Sequence, residues 1–196
     1  MVFFGALLGA VQAQGTNVAS PNTAIANVAI SNASKPHVAD SRPEVAALPG
    51  VVPTAPVRLR VWGFEVYDAR LWTPVGFRHS QYPQFPFALE LQYLRKLEGA
   101  AIASRSIDEM RRVGSFSDTQ AQSWLVAMRG LFPNVGAGDR ITGVNLPGAG
   151  AEFWVNGQRV GVLKDVAFAR LFFGIWLDER TSEPKMRAQL LQGLQP

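Results

Sequence analysis

From residue 57 onward, apolar residues recur with two distinct periods that divide the chain into strands and helices. The stretch 58–72 is dense in β-branched and aromatic residues and contains no proline, so it predicts a strand. Both of its alternating sets contain apolar members: Leu59, Val61, Tyr67 and Leu71 on one, and Trp62, Phe64, Val66 and Trp72 on the other. That pattern predicts a central strand covered on both faces, with Gly63 marking a bulge or a close backbone approach. Residues 74–86 carry Pro83 and Pro86 and predict a loop. Phe87, Leu89, Leu91 and Tyr93 alternate along a second strand over 87–94.

The period then changes to that of a helix. Ile102, Ala103, Ser106, Ile107 and Met110 predict a helix over 99–112, with Gly114 at its C-cap. Ala121, Trp124, Leu125, Met128 and Leu131 form one stripe of a second helix over 118–132. Ser117 or Asp118 is its N-cap and Pro133 closes it. A meander follows, with strands over 139–146, 152–155 and 159–163, and Asn156-Gly157 forms a type I′ turn. Residues 166–173 predict a short apolar helix ended by Gly174. Thr181 or Ser182 caps a last helix running to Leu191, with Pro184 in its first turn. Strands joined by tight turns, with helices clustered rather than alternating between them, give an α+β class: an antiparallel sheet with helices packed on one face.

The first 56 residues have a different character. Residues 2–11 are apolar but too short to span a bilayer as a helix. They run into Val11-Gln12-Ala13, a small-x-small pattern that predicts a secretion signal over 1–13 cleaved after Ala13, although the positive n-region is missing. Residues 14–56 are rich in Ala, Asn, Ser and Val, hold prolines at 21, 36, 43, 49, 53 and 56, and contain no aromatic residue. Too little apolar area is available to offset ordering, so this stretch predicts a flexible tether. The domain then spans 57–196, and its expected location is periplasmic or secreted.

Composition narrows the chemistry. The net charge is +4, yet the cations are scattered and the longest basic runs are the pairs Arg95-Lys96 and Arg111-Arg112. A face that tracks nucleic-acid phosphates needs clustered cations, so no nucleic-acid partner is expected. No later run is apolar enough to predict a transmembrane segment. With no cysteine, thiolate metal sites, disulfides and cysteine nucleophiles are excluded. Of the two histidines, His37 lies in the tether and His79 in a polar loop, and neither has metal-ligand spacing. The adjacent acids Asp108-Glu109 and Asp178-Glu179 point about 100° apart on a helix and do not form a dyad. The glycines of 136–150 belong to turns rather than to a phosphate loop. No cofactor, metal or catalytic residue is expected on these grounds.

The aromatic residues carry more. Trp62, Phe64, Tyr67, Trp72, Phe87, Tyr93, Phe153 and Trp154 all fall on predicted strands. A sheet of this kind, covered by helices, can leave an aromatic-lined cleft. Arg70 shares a strand with Tyr67, and a guanidinium beside a phenol is a clamp for a carboxylate. The candidate ligand-binding residues are Arg70, Tyr67, Tyr93, Trp72 and Trp62. The competing reading makes the aromatics core and pairs Arg70 with Glu90 or another strand acid.

Several segments resemble the bacterial chalcone isomerase-like proteins: residues 61–72, Ile102-Ala103 with residues 106–110, residues 132–135 running to 138–140, Leu146-Pro147-Gly148, and residues 172–177. The resemblance covers roughly 58–194 and implies the chalcone isomerase fold, an open-faced β-sandwich with a ligand cleft between sheet and helices. Plant members close a flavanone ring with an arginine, a tyrosine, an asparagine and two hydroxyl residues. In this chain the catalytic tyrosine falls near Ile102, the asparagine near Glu109, the strand threonine near Trp62 and the late hydroxyl near Leu171. Relatives of the fold without the catalytic set hold a fatty-acid carboxylate with an arginine and a tyrosine. The resemblance thus implies non-catalytic binding of a fatty acid or similar amphipathic acid. The alternatives are an isomerase or intramolecular lyase acting on a phenolic or enone substrate, and a structural accessory protein with no ligand.

Overall fold

A computed structural model describes residues 42–196. The expected signal, the tether up to residue 41 and His37 lie outside the described residues. The element order is α1 (Pro43–Ala46), β1 (Val51–Pro53), β2 (Val57–Val61), β3 (Phe64–Pro74), a 3-10 segment (His79–Gln84), β4 (Phe87–Tyr93), α2 (Gly99–Val113), α3 (Asp118–Leu131), β5 (Arg140–Leu146), β6 (Gly150–Val155), β7 (Gln158–Leu163), α4 (Val166–Leu177) and α5 (Pro184–Leu190). The strands form one seven-stranded antiparallel sheet ordered β1-β3-β4-β5-β6-β7, with β2 also paired to β3. The sheet is open and its helices α2 to α5 pack on one face, the α+β arrangement that the pattern predicts.

The stretch 58–72 is two strands and not one. Trp62 and Gly63 adopt φ of 50° and 83°, and Val61 pairs with Phe64 across them. This is the two-residue turn whose twist suits a hairpin. Gly63 enters the left-handed region without penalty, whereas Trp62 pays about 1–2 kcal/mol for it. Arg58 bridges Asp68 at 2.7 Å and Glu65 at 2.9 Å, and Arg60 reaches Glu65 at 2.8 Å, clipping the two strands together on their polar side. Gly63 is therefore a turn residue, with neither the bulge nor the close backbone approach that were the alternatives expected of it.

A second difference lies at 43–56, inside the stretch expected to be tether. There α1 and β1 join the sheet. Val45 packs with Ala88 and Val144 on the face opposite α2 to α5, and β1 pairs Val51, Val52 and Pro53 with Pro74, Thr73 and Trp72. Thr54 carries the edge onward, its N–H donating to Leu71 O at 2.8 Å and its Oγ1 accepting from Leu71 N at 3.1 Å. β1 and β2 thus lie end to end along the same edge of β3. Composition failed here because the ordering comes from polar contacts that cross the chain: Arg42 Nε donates to Glu90 at 2.5 Å, and Thr142 Oγ1 donates to Glu44 at 3.1 Å.

The main core lies between the sheet and the helices. Phe87, Phe153, Phe168 and Phe173 are fully buried there, joined by edge-to-face contacts such as Phe87–Phe173 at 4.9 Å and Phe153–Phe172 at 5.2 Å. Ser117 makes a capping box with Gln120 at the start of α3. Asp165 caps α4 through Phe168 N at 3.0 Å and also accepts from Trp124 Nε1 at 2.9 Å, so one carboxylate fixes α4 against α3. α4 continues through Gly174 to Leu177, past the expected stop. Gly174 is a packing residue: a Cβ placed there would lie 2.5 Å from Val113 Cγ1 and 2.9 Å from the Tyr82 hydroxyl. The last helix begins at Pro184, two to three residues beyond the expected caps. Thr181 Oγ1 instead accepts from Glu183 N at 3.1 Å.

Candidate functional site

Strand alternation sorts the candidate residues onto two faces of the sheet. In β3, Tyr67, Ala69 and Leu71 belong to the helix-side core, while Trp72 belongs to the cluster on the other face. Arg70 shares the parity of Trp72. The expected clamp of Arg70 with Tyr67 or Tyr93 therefore does not form, because the guanidinium and the phenols stand on opposite sides of the same backbone.

Tyr67 and Tyr93 do come together. They are register partners across β3 and β4, with ring centroids 6.1 Å apart at 74°. Trp176 on α4 donates its indole N–H to the Tyr67 hydroxyl at 3.0 Å. Neither phenol donates its own proton to a protein acceptor among the described residues. Burial pushes both phenols well above their ordinary range, with Tyr67 adding to the effect on Tyr93, so both stay protonated and able to donate. Beyond Tyr67, α2 supplies Arg105, ion-paired with buried Glu109 one turn on, and Arg112, whose Nε is 3.5 Å from Glu109. α5 begins beside Glu183, whose carboxyl is pushed up by burial and then by the charge of Glu109, with Arg105 acting against the shift. The charges of Glu183, Glu109 and Arg105 all act on Tyr67, with the two carboxylates raising its pKa and the guanidinium lowering it.

On the other face, register places Arg70 opposite Glu90, and Glu90 opposite Thr142. Glu90 is only 3% exposed, but Arg42 takes it at 2.5 Å and Arg140 Nε lies 3.5 Å away. The competing expectation of an Arg70–Glu90 pair is therefore also not met. Arg70 instead lies beside the Trp72 ring, 5.8 Å from guanidinium carbon to ring centroid, with Arg42 at 5.5 Å from the same ring. Trp62 joins neither group. It stands 70% exposed at the β2–β3 turn, near Phe64, itself 60% exposed and capped by the Arg95 guanidinium at 5.2 Å.

Of the positions matching the plant catalytic set, Leu171 is buried core, Ile102 packs against the core from α2 and Trp62 lies on the exposed turn. Glu109 alone is ionisable. Sequence reasoning missed Trp176, Arg105 and Glu183. Trp176 had a signal, since it belongs to the 172–177 segment, whereas Arg105 and Glu183 reach the site only through helix packing.

Comparison with known proteins agrees with this architecture. A solved structure, that of an Arabidopsis thaliana fatty-acid binding protein, superposes with a TM-score of 0.53 at 16% identity, covering 74% of this chain and 85% of that one. An uncharacterized protein of Haemophilus influenzae is 31% identical over 131 residues, which are 66% of this chain and 63% of that relative's length. A family model described as chalcone isomerase-like matches residues 55–192. With that match over most of its length, and with the sheet and helix order that the family shares, the chain belongs to the chalcone isomerase-like family.

Proposed function

We propose that the domain is a non-catalytic binder of a fatty acid or similar amphipathic acid, held between the sheet and helices α2, α4 and α5. The observation that carries this reading is the Tyr67–Tyr93 pair: a buried phenol beside a partly buried one, both kept protonated, with donor hydrogens that no described protein group accepts. A carboxylate has the acceptor lone pairs to take both, and the surrounding apolar layer suits a hydrocarbon tail. Arg105, brought to the Tyr67 end by α2 and ion-paired there with Glu109, is a cation on this face and takes the role that Arg70 has no access to. The shared fold with a fatty-acid binding protein supports the same reading. So do the residues at the plant catalytic positions, among which Ile102 and Leu171 have no proton to transfer.

Native mass spectrometry of the protein purified from its host, with organic extraction, tests the reading. A co-purifying fatty acid or related lipid is the expected result. Tyr67→Phe should weaken binding by about 1.5–3 kcal/mol, the value of a hydrogen bond to a charged acceptor. An empty protein whose melting temperature does not move with a fatty-acid panel overturns it. Export is part of the proposal and rests on the apolar run 2–11 and its Val11-Gln12-Ala13 end. N-terminal sequencing of the mature protein should begin at Gln14, and an intact Met1 after fractionation refutes it.

A further inference from the structure

We propose a second binding site, for a small monocarboxylate, on the face of the sheet opposite the helices, built by Arg70 and Trp72. It is independent of the phenol pair, from which the sheet itself separates it. Two observations meet here. Arg70 Nε and Trp72 Nε1 are both buried donors with no hydrogen-bond partner, and they belong to neighbouring side chains on one face, with the guanidinium 5.8 Å from the indole centroid. Burying an N–H donor without an acceptor is costly, and two such donors side by side share one remedy: an acceptor that takes both.

Neither nearby carboxylate pairs with Arg70. Glu90, opposite Arg70 in register, is held by Arg42 and Arg140. Glu44 accepts from Thr142 and lies 3.8 Å from Arg140 through Oε1, while its Oε2 has no hydrogen-bond partner. Thr142 is two strands from Arg70, about 10 Å at the usual strand spacing, so Glu44 is not a partner for Arg70 either. Among the described side chains the positive charge of Arg70 has no counter-ion. One uncompensated charge matches a monoanion, and a guanidinium fork with an adjacent indole N–H matches the lone pairs of a carboxylate. Val45, Ala88 and Val144 lie alongside Trp72 as an apolar wall, which suits a carboxylate bearing a small hydrocarbon group better than a strongly hydrated ion.

The test is a titration of the isotope-labelled full chain with acetate, inorganic phosphate and chloride at matched ionic strength. It follows the five Trp indole signals and the Arg Nε–H signals by NMR, with Trp72→Phe and Arg70→Gln assigning the two resonances. Acetate should shift the Trp72 and Arg70 signals saturably while the other four indoles stay still. Arg70→Gln should weaken that response about ten- to a hundredfold, the scale of one charged hydrogen bond. No saturable shift, an equal response to chloride, an undiminished response in Arg70→Gln, or tighter binding of phosphate than of acetate each overturns the proposal. The wild-type comparison of acetate with chloride decides even if a variant fails to fold. Acetate has no tail, so failure of fatty-acid binding at Tyr67 leaves this result untouched.

Discussion

Replacing Gly174 with alanine sets two effects of opposite sign against each other. In a helix interior, alanine is favoured over glycine by about 0.8–1.0 kcal/mol. The added methyl, however, would sit 2.5 Å from Val113 Cγ1, 3.3 Å from Val113 Cγ2 and 2.9 Å from the Tyr82 hydroxyl. Val113 is fully buried, and the Tyr82 hydroxyl is tied down by donating to Arg170 O at 2.7 Å, so neither neighbour yields freely. Overpacking of this kind costs about 1–3 kcal/mol. With both neighbours fixed the upper part of that range applies, which leaves Gly174→Ala about 1–2 kcal/mol less stable, or about 2–8 °C lower in melting temperature for a domain of this size. Urea denaturation of Gly174→Ala, Val113→Ala and the double variant measures it. Val113→Ala makes room for the methyl, so the double variant should lose less than the sum of the singles, with a coupling of about 1 kcal/mol or more. A variant more stable than wild type, or strict additivity, refutes the close approach of α4 to α2 and returns Gly174 to the helix-stop role.

Glu90→Ala removes the carboxylate that two arginines share on the buried outer face, and should cost about 3–5 kcal/mol in urea denaturation; a loss below about 1 kcal/mol refutes the buried ion-pair account. Ser117→Ala deletes the capping box of α3 and should cost about 1 kcal/mol, while an unchanged midpoint would show the cap to be idle. Burial, followed by the charge of Arg187, holds the His79 imidazole below its ordinary value of 6.5, so below that value the unfolded chain binds the proton more readily than the native one. Stability therefore falls as pH drops through about 6.5 toward the lowered native value. His79→Asn should lack that component, and parallel pH profiles for the two proteins would refute it.

The elements from Phe87 onward were legible because each carries a local signal: period 2 in β4 to β7, a 3.6 period with Ser117 as a cap in α3, an apolar run in α4, and Asn156-Gly157 at the last turn. The hairpin at Trp62-Gly63 was hidden because tryptophan at positive φ is uncommon, and the flanking residues alternate through it as though the strand were continuous. The order of residues 43–53 was hidden for another reason. It depends on Glu90, Arg140 and Thr142, residues that sequence places tens of positions away. The Arg70–Tyr67 clamp fails on a signal that was present, since positions 67 and 70 differ in strand parity. Tyr67 with Tyr93 was readable from two strands alone, whereas Arg105 and Glu183 arrive on helices whose docking no local pattern specifies.

The end-to-end placement of β1 and β2 along β3 has a consequence for how the protein behaves among its own copies. A sheet margin is a template for strand addition by a foreign chain. Here that margin is divided into pieces of three and five residues, with Pro53 and Pro56 at the break. Proline offers no N–H for a ladder, and the two pieces are separated by a break that no single added strand pairs across. β3, with its eleven residues, would be the most dangerous strand in the molecule if it stood at the rim. Covering it with two short interrupted segments leaves a boundary on which cross-chain pairing cannot propagate.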